Sequence, residues 1–160
     1  AAFFLADAIS VINLQRPSPA HMLKILRKFE KNKTNEYIST LAESIGIERA
    51  APTLLSRMSK STAGFSDMIE SNSHSKIISQ KYRYMMNNSL FADCYFLLGY
   101  INRNNFIKIK DLHRKPEFVH ILKTALDLEG DSTKIESQAN KLHNAINSLL
   151  SLPHEDFKNL

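Results

Sequence analysis

Leu90-Phe91-Ala92-Asp93-Cys94-Tyr95-Phe96-Leu97-Leu98-Gly99-Tyr100-Ile101 is the most apolar stretch of the chain. With no proline and one glycine, it reads as a helix that is apolar on nearly every side, and such helices sit at the centre of a core. Asn87-Asn88-Ser89 separates it from a preceding helix in which Ile77, Ile78, Tyr82, Met85 and Met86 keep helical spacing. Downstream the period changes. Phe106-Ile107-Lys108-Ile109-Lys110 alternates in twos, so the segment after the central helix is expected to be a loop, or one short strand near 106–110.

The flanking segments extend the helical reading. Phe3, Phe4, Ala8, Ile9, Val11 and Ile12 mark a first helix, which Arg16-Pro17-Ser18-Pro19 stops because proline cannot continue the backbone ladder. Ser18 before Pro19 suits the start of a second helix carrying Met22, Ile25, Leu26 and Phe29. A third presents Tyr37, Ile38, Leu41 and Ile45, with Gly46 where a left-handed residue ends a helix. Pro52 opens a fourth through Leu54, Leu55 and Met58, and the polar run 59–62 is expected to break it before a short helix with Phe65, Met68 and Ile69. Ser71-Asn72-Ser73-His74-Ser75 reads as a connector. Pro116 begins a helix containing Phe118, Val119, Ile121, Leu122, Ala125 and Leu126, which Gly130 ends. Asp131, or Thr133 with Glu136, opens the last helix, whose seam is Ile135, Ala139, Leu142, Ile146 and Leu149.

These segments make the chain all-α, an irregular bundle or stacked hairpins of about eight helices in one domain over 1–152, with a polar tail over 153–160. Its 160 residues are enough to bury a core without disulfides. The single cysteine, Cys94, has no internal partner, which fits a reducing, cytoplasmic setting. No apolar run approaches the roughly 20 residues that cross a bilayer, so integral membrane association is not expected. The chain begins at Ala1 without a basic leader and reads as a fragment or processed product.

The net charge of +5 is uneven: residues 1–116 hold 17 Lys and Arg against 9 Asp and Glu, the remainder 4 against 7. Lys24, Lys28 and Lys31 with Arg27 and Lys33 form one basic group, and Arg103, Lys108, Lys110, Arg114 and Lys115 another. Converging with Lys76, Lys81 and Arg83, they would neutralise phosphates, and Phe106, Tyr82, Tyr84 and Tyr100 would offer stacking for single-stranded nucleic acid.

Two local resemblances follow. Leu41-Ala42-Glu43-Ser44-Ile45-Gly46-Ile47 resembles the first helix and turn of helix-turn-helix proteins, although Pro52 stands where that family has an apolar residue in its recognition helix. Residues 92–100, with Tyr95, Leu98 and Gly99, resemble the first helix of a tetratricopeptide unit. Leu122-Lys123-Thr124-Ala125-Leu126 is similar to the end of its second helix, but the spacing between them is several residues too long and no second copy of the period occurs.

Phosphate loops of the GxxxxGK[ST] and GxGxxG kinds do not occur, and no two of His21, His74, His113, His120, His143 and His154 show metal-ligand spacing, so neither cofactor nor metal is expected. The expected function is a non-catalytic helical module that binds another protein, as an adaptor or scaffold. Nucleic-acid binding through the basic groups is the alternative, and an enzyme built on Cys94 and His113 a remote one.

Overall fold

A computed structural model describes residues 1–15, 17–28, 35–70, 74–109, 116, 121, 123 and 131–151. They form α1 (Ala2–Ile12), α2 (Met22–Leu26), α3 (Asn35–Ile45), α4 (Pro52–Ile69), α5 (His74–Asn87), α6 (Phe91–Lys108) and α7 (Ser132–Leu150), with single 3-10 turns at Pro19–His21 and Ile47–Arg49. The described residues contain no strand, and the class is all-α. None of these helices is long and apolar enough to cross a membrane. The chain resolves into two compact units, Ala1–Glu48 with Asp131–Leu160, and Arg49–Gly130.

In the first unit α1 packs on α2 and α3, and α3 on α7. Leu5, Ala6 and Ile9 of α1, Met22, Leu23 and Leu26 of α2, Leu41 of α3, and Leu142 and Leu149 of α7 are buried. Ser10 is also buried; its hydroxyl lies 2.9 Å from the Ala6 carbonyl, the bond by which a serine satisfies itself inside a helix. Asp131 caps α7, its carboxylate accepting from the amides of Thr133 and Lys134 at 3.0 and 3.3 Å, so of the two alternative starts Asp131 is the one used. The expected seam of α7 is only partly covered: Leu142 and Leu149 are buried, Ile146 is half-buried, and Ile135 and Ala139 are exposed.

In the second unit α4 packs on α5 and α6, and α5 on α6. Residues 93–99 are buried without interruption, which places the central apolar stretch where its composition demands. Asn102 Nδ2 donates to Thr62 Oγ1 at 3.0 Å and Asn105 Nδ2 to Ser66 Oγ at 2.7 Å, and all four residues are buried. Because the rungs advance together along both helices, α4 and α6 run parallel and α5 returns between them in the opposite sense. The Arg49 guanidinium, just before α4, donates to the Tyr95 hydroxyl at 3.1 Å near the start of α6.

These rungs overturn two sequence expectations. The polar run 59–62 does not break the helix: α4 is continuous from Pro52 to Ile69 because Ser59, Thr62 and Ser66 face inward. No strand forms over the described residues 106–109, since α6 runs through Lys108. The period that governs is Leu98, Asn102, Asn105 and Ile109, all buried and spaced four, three and four. Two of the four are asparagines, which hides the helical period from a reading of apolar residues. Phe29, Lys110 and most of the expected helix after Pro116 lie outside the described residues, as do residues 71–73 of the expected connector; His74 and Ser75 already belong to α5.

Among the described residues three helices end in a left-handed residue. After α3 it is Gly46, φ 70°, as its sequence position required. After α1 and α5 it is Leu14 and Ser89, both at φ 55°. At Leu14 the two bonds of a Schellman motif form, Leu14 N–H to the Val11 carbonyl at 2.9 Å and Gln15 N–H to the Ser10 carbonyl at 2.8 Å. A side chain in this region costs about 1–2 kcal/mol that glycine does not incur. Leu14→Gly is therefore expected to raise stability by about 1 kcal/mol and Gly46→Ala to lower it by a similar amount, read as urea midpoints at unchanged slope. Asn105→Ala, which strips the buried Ser66 hydroxyl of its donor, should cost about 1–3 kcal/mol. Added to Ser66→Ala it should cost less than the two single losses together, because the partner is already gone.

Candidate interaction surfaces

The first surface lies on α1. Its buried side is Ala2, Leu5, Ala6, Ile9 and Ser10. Its opposite side carries Phe4, Ala8 and Val11, spaced four and three, with Phe4 58% and Val11 49% exposed. Asp7 is the one charged residue in the helix. Leu14 follows at the strained C-terminal turn, 93% exposed. A surface helix of a globular protein ordinarily turns charged groups outward; α1 turns apolar ones.

The second surface lies in the other unit, where α5 crosses α6. Ile77 and Ile78 of α5, Ile101, Asn104, Asn105 and Lys108 of α6, with Ser66 and His74, line an open cleft of about 210 Å³. At its mouth Glu70 accepts from Lys108 and lies 3.1 Å from His74 Nδ1. The hydrogen bond from Lys108 is the main cause that holds the Glu70 carboxyl below the usual carboxylate range; slight desolvation opposes it, and the charges of Lys108 and His74 assist. Asp67 accepts from the Ser75 amide at 3.3 Å, so carboxylates gather at the N-terminus of α5, where the helix dipole favours them.

Along the rest of α5 the exposed side is cationic. The helix contains Lys76, Lys81 and Arg83 and no Asp or Glu. Lys76, Gln80, Arg83 and Asn87, spaced four, three and four, are exposed. Ile77, Lys81 and Tyr84 form a second exposed row beside them, Tyr84 at 58%. Ser75, Lys76, Ser79, Gln80 and Arg83 line a shallow depression of about 350 Å³.

The residues singled out from the sequence are distributed across both units. Lys24 and Lys28 are exposed on and just beyond α2, in the first unit. Arg103 and Lys108 belong to the second. Arg103 stacks its guanidinium 5.4 Å from the Tyr100 ring centre and donates to Asn104 Oδ1 at 3.2 Å. Lys108 is engaged by Glu70. Phe106 is half-buried and packs on the core cluster of Phe65 and Ile109. Lys31, Lys110, Arg114, Lys115 and His113 lie outside the described residues. Cys94 is fully buried; desolvation, with the Asp93 charge adding, pushes its thiol up to about 12, so at neutral pH it is an uncharged packing group.

Sequence reasoning missed the outward face of α1 and the Glu70–His74–Lys108 group. For α1 the signal was present: a helix with one charged residue has more apolar side chains than one buried stripe can use. For Glu70 and Lys108, 38 positions apart, no local signal exists.

The Glu70 shift is downward, so the pair's contribution is present at pH above the ordinary glutamate value and fades as pH falls through the lowered one. In an NMR titration the Glu70 carboxyl should report a midpoint below that of a free glutamate. Lys108→Met should move it up towards the free value; an unchanged midpoint would show that Lys108 is not its main partner.

The chain matches no protein-family model, no curated protein and no solved structure, and its function is argued from these surfaces.

Proposed function

We propose that this chain is a non-catalytic helical interaction module, and that α1 lays its outward face along an apolar helix of another protein. The observation that carries the reading is the exposed row Phe4, Ala8 and Val11 on a helix whose sole charged residue is Asp7. Its spacing of four and three is the period at which a helix presents anchors to a partner helix, so the complementary surface is a helix rather than an extended strand. Absence of cations on this face argues against a polyanion, and the aromatic ring with a branched aliphatic about two turns away suits a desolvated contact. Leu14 extends the row beyond the helix end, 93% exposed.

The test is photo-crosslinking in the source cells with p-benzoylphenylalanine in place of Phe4. The reading expects a discrete adduct with a different polypeptide, joined through a segment of helical apolar period, and its loss on Val11→Glu. The same photoprobe at Lys134, on the polar start of α7, should give no such adduct. Absence of a discrete adduct at position 4, an adduct indifferent to Val11→Glu, or one with a second copy of this chain alone would overturn the proposal.

A further inference from the structure

The cationic side of α5 has chemistry unlike α1 and belongs to the other unit. Lys76, Gln80, Arg83 and Asn87 form one exposed row and Ile77, Lys81 and Tyr84 another beside it. The first row lies opposite Ile78 and Met85, the residues α5 buries, and the second flanks it, with Ile77 also lining the cleft against α6. The helix has no carboxylate to neutralise its three cations. The nearby acids sit at its first turn, where Asp67 receives the Ser75 amide and Glu70 receives Lys108 and His74. The uncompensated charge therefore runs from Lys76 towards Arg83, away from that end.

We propose that this side of α5 binds single-stranded nucleic acid, with Lys76, Lys81 and Arg83 on phosphates and the Tyr84 ring stacked on a base. Cations alone would serve any polyanion. Tyr84 decides between them: it is 58% exposed and lies in sequence next to Arg83 and one turn from Lys81, so a base stacked on it has phosphate partners on either side. Gln80 and Asn87 add amide donors and acceptors that suit base edges and sugar hydroxyls, groups that an acidic peptide lacks. An anionic membrane would require a continuous apolar stripe for insertion, and the row along Lys76 and Arg83 is polar throughout. The site is independent of α1, so its failure leaves the protein-binding reading untouched.

The experiment measures fluorescence anisotropy of a labelled 12-nucleotide oligouridine titrated with the full chain at several salt concentrations. Binding should appear at low salt, with the logarithm of affinity falling against the logarithm of salt at a slope of about −2, as expected when three cations engage single-stranded phosphates. Lys76→Glu with Arg83→Glu should abolish binding at unchanged melting temperature, since both side chains are exposed. Tyr84→Ala should weaken it on the order of tenfold while Tyr84→Phe, which keeps the ring, should not. Four results would overturn the proposal: no binding at low salt; equal loss with Tyr84→Phe and Tyr84→Ala; equal or tighter binding of a polyglutamate of matched charge; and tighter binding of phosphatidylserine vesicles.

Discussion

Two amide-to-hydroxyl rungs set the geometry of the second unit. Apolar surfaces are nearly indifferent to register, since one leucine packs on another about as well a turn away. The Asn102–Thr62 and Asn105–Ser66 bonds are not indifferent. Sliding α6 along α4 by one turn would bring Asn102 to Ser66 or Asn105 to Thr62 but leave the other amide without its hydroxyl, at about 1–3 kcal/mol for the unsatisfied group. That penalty is comparable with a sizeable part of a domain's net stability, so it selects one parallel alignment of α4 and α6. The register has a consequence at the surface. With α4 and α6 ending at the same side, α5 must start there, and Glu70, His74 and Lys108 are brought to one cleft mouth. The cationic rows of α5 then face outward because Ile78 and Met85 are the residues it can bury.

The same rungs explain which parts of the fold could be read from the sequence. The central stretch could, since an unbroken apolar run has one physical solution in a helical chain. So could the end of α3, because Gly46 needs φ 70° and advertises it by being glycine. The start of α4 was legible in Pro52, whose fixed φ and missing amide suit a first turn. Ser59, Thr62, Ser66, Asn102 and Asn105 were not. A reading that sorts residues into apolar-in and polar-out sends all five to solvent, and so finds a break in α4 and a two-residue period at the end of α6. What turns them inward is a partner about forty positions away, and nothing local encodes it.

The surfaces were legible in part for a similar reason. Charge is visible in a sequence, whereas its compensation is not. Lys108 belongs to a basic run yet is answered by Glu70, and Arg103 stacks on Tyr100, while Lys76, Lys81 and Arg83 lie on a helix that contains no acid at all. Of the cations in 103–115, the two that are described, Arg103 and Lys108, are thus engaged by neighbouring side chains. Conversely, the apolar excess of α1 was in plain view, but periodicity cannot tell which of two apolar sides the rest of the chain covers. Burial settles it, with Leu5, Ala6 and Ile9 inside and Phe4, Ala8 and Val11 outside.

Leu14 adds an energetic argument to the exposure of α1. Among the described residues three helices end in a left-handed residue, and the side chains there differ: none at Gly46, a small hydroxyl at Ser89, a leucine at Leu14. Serine in this position bears the backbone cost alone. Leucine bears that cost, about 1–2 kcal/mol, and also leaves its side chain 93% in water, so the isolated chain gains nothing from it. Fully burying a leucine is worth about 1.5–3 kcal/mol, as large as the backbone cost or larger. The balance at Leu14 is thus unfavourable while α1 faces solvent and becomes even or favourable once a second surface covers it. A local strain that burial against a second surface would offset is the thermodynamic counterpart of the apolar row it extends, and both observations support the proposal that α1 meets a partner.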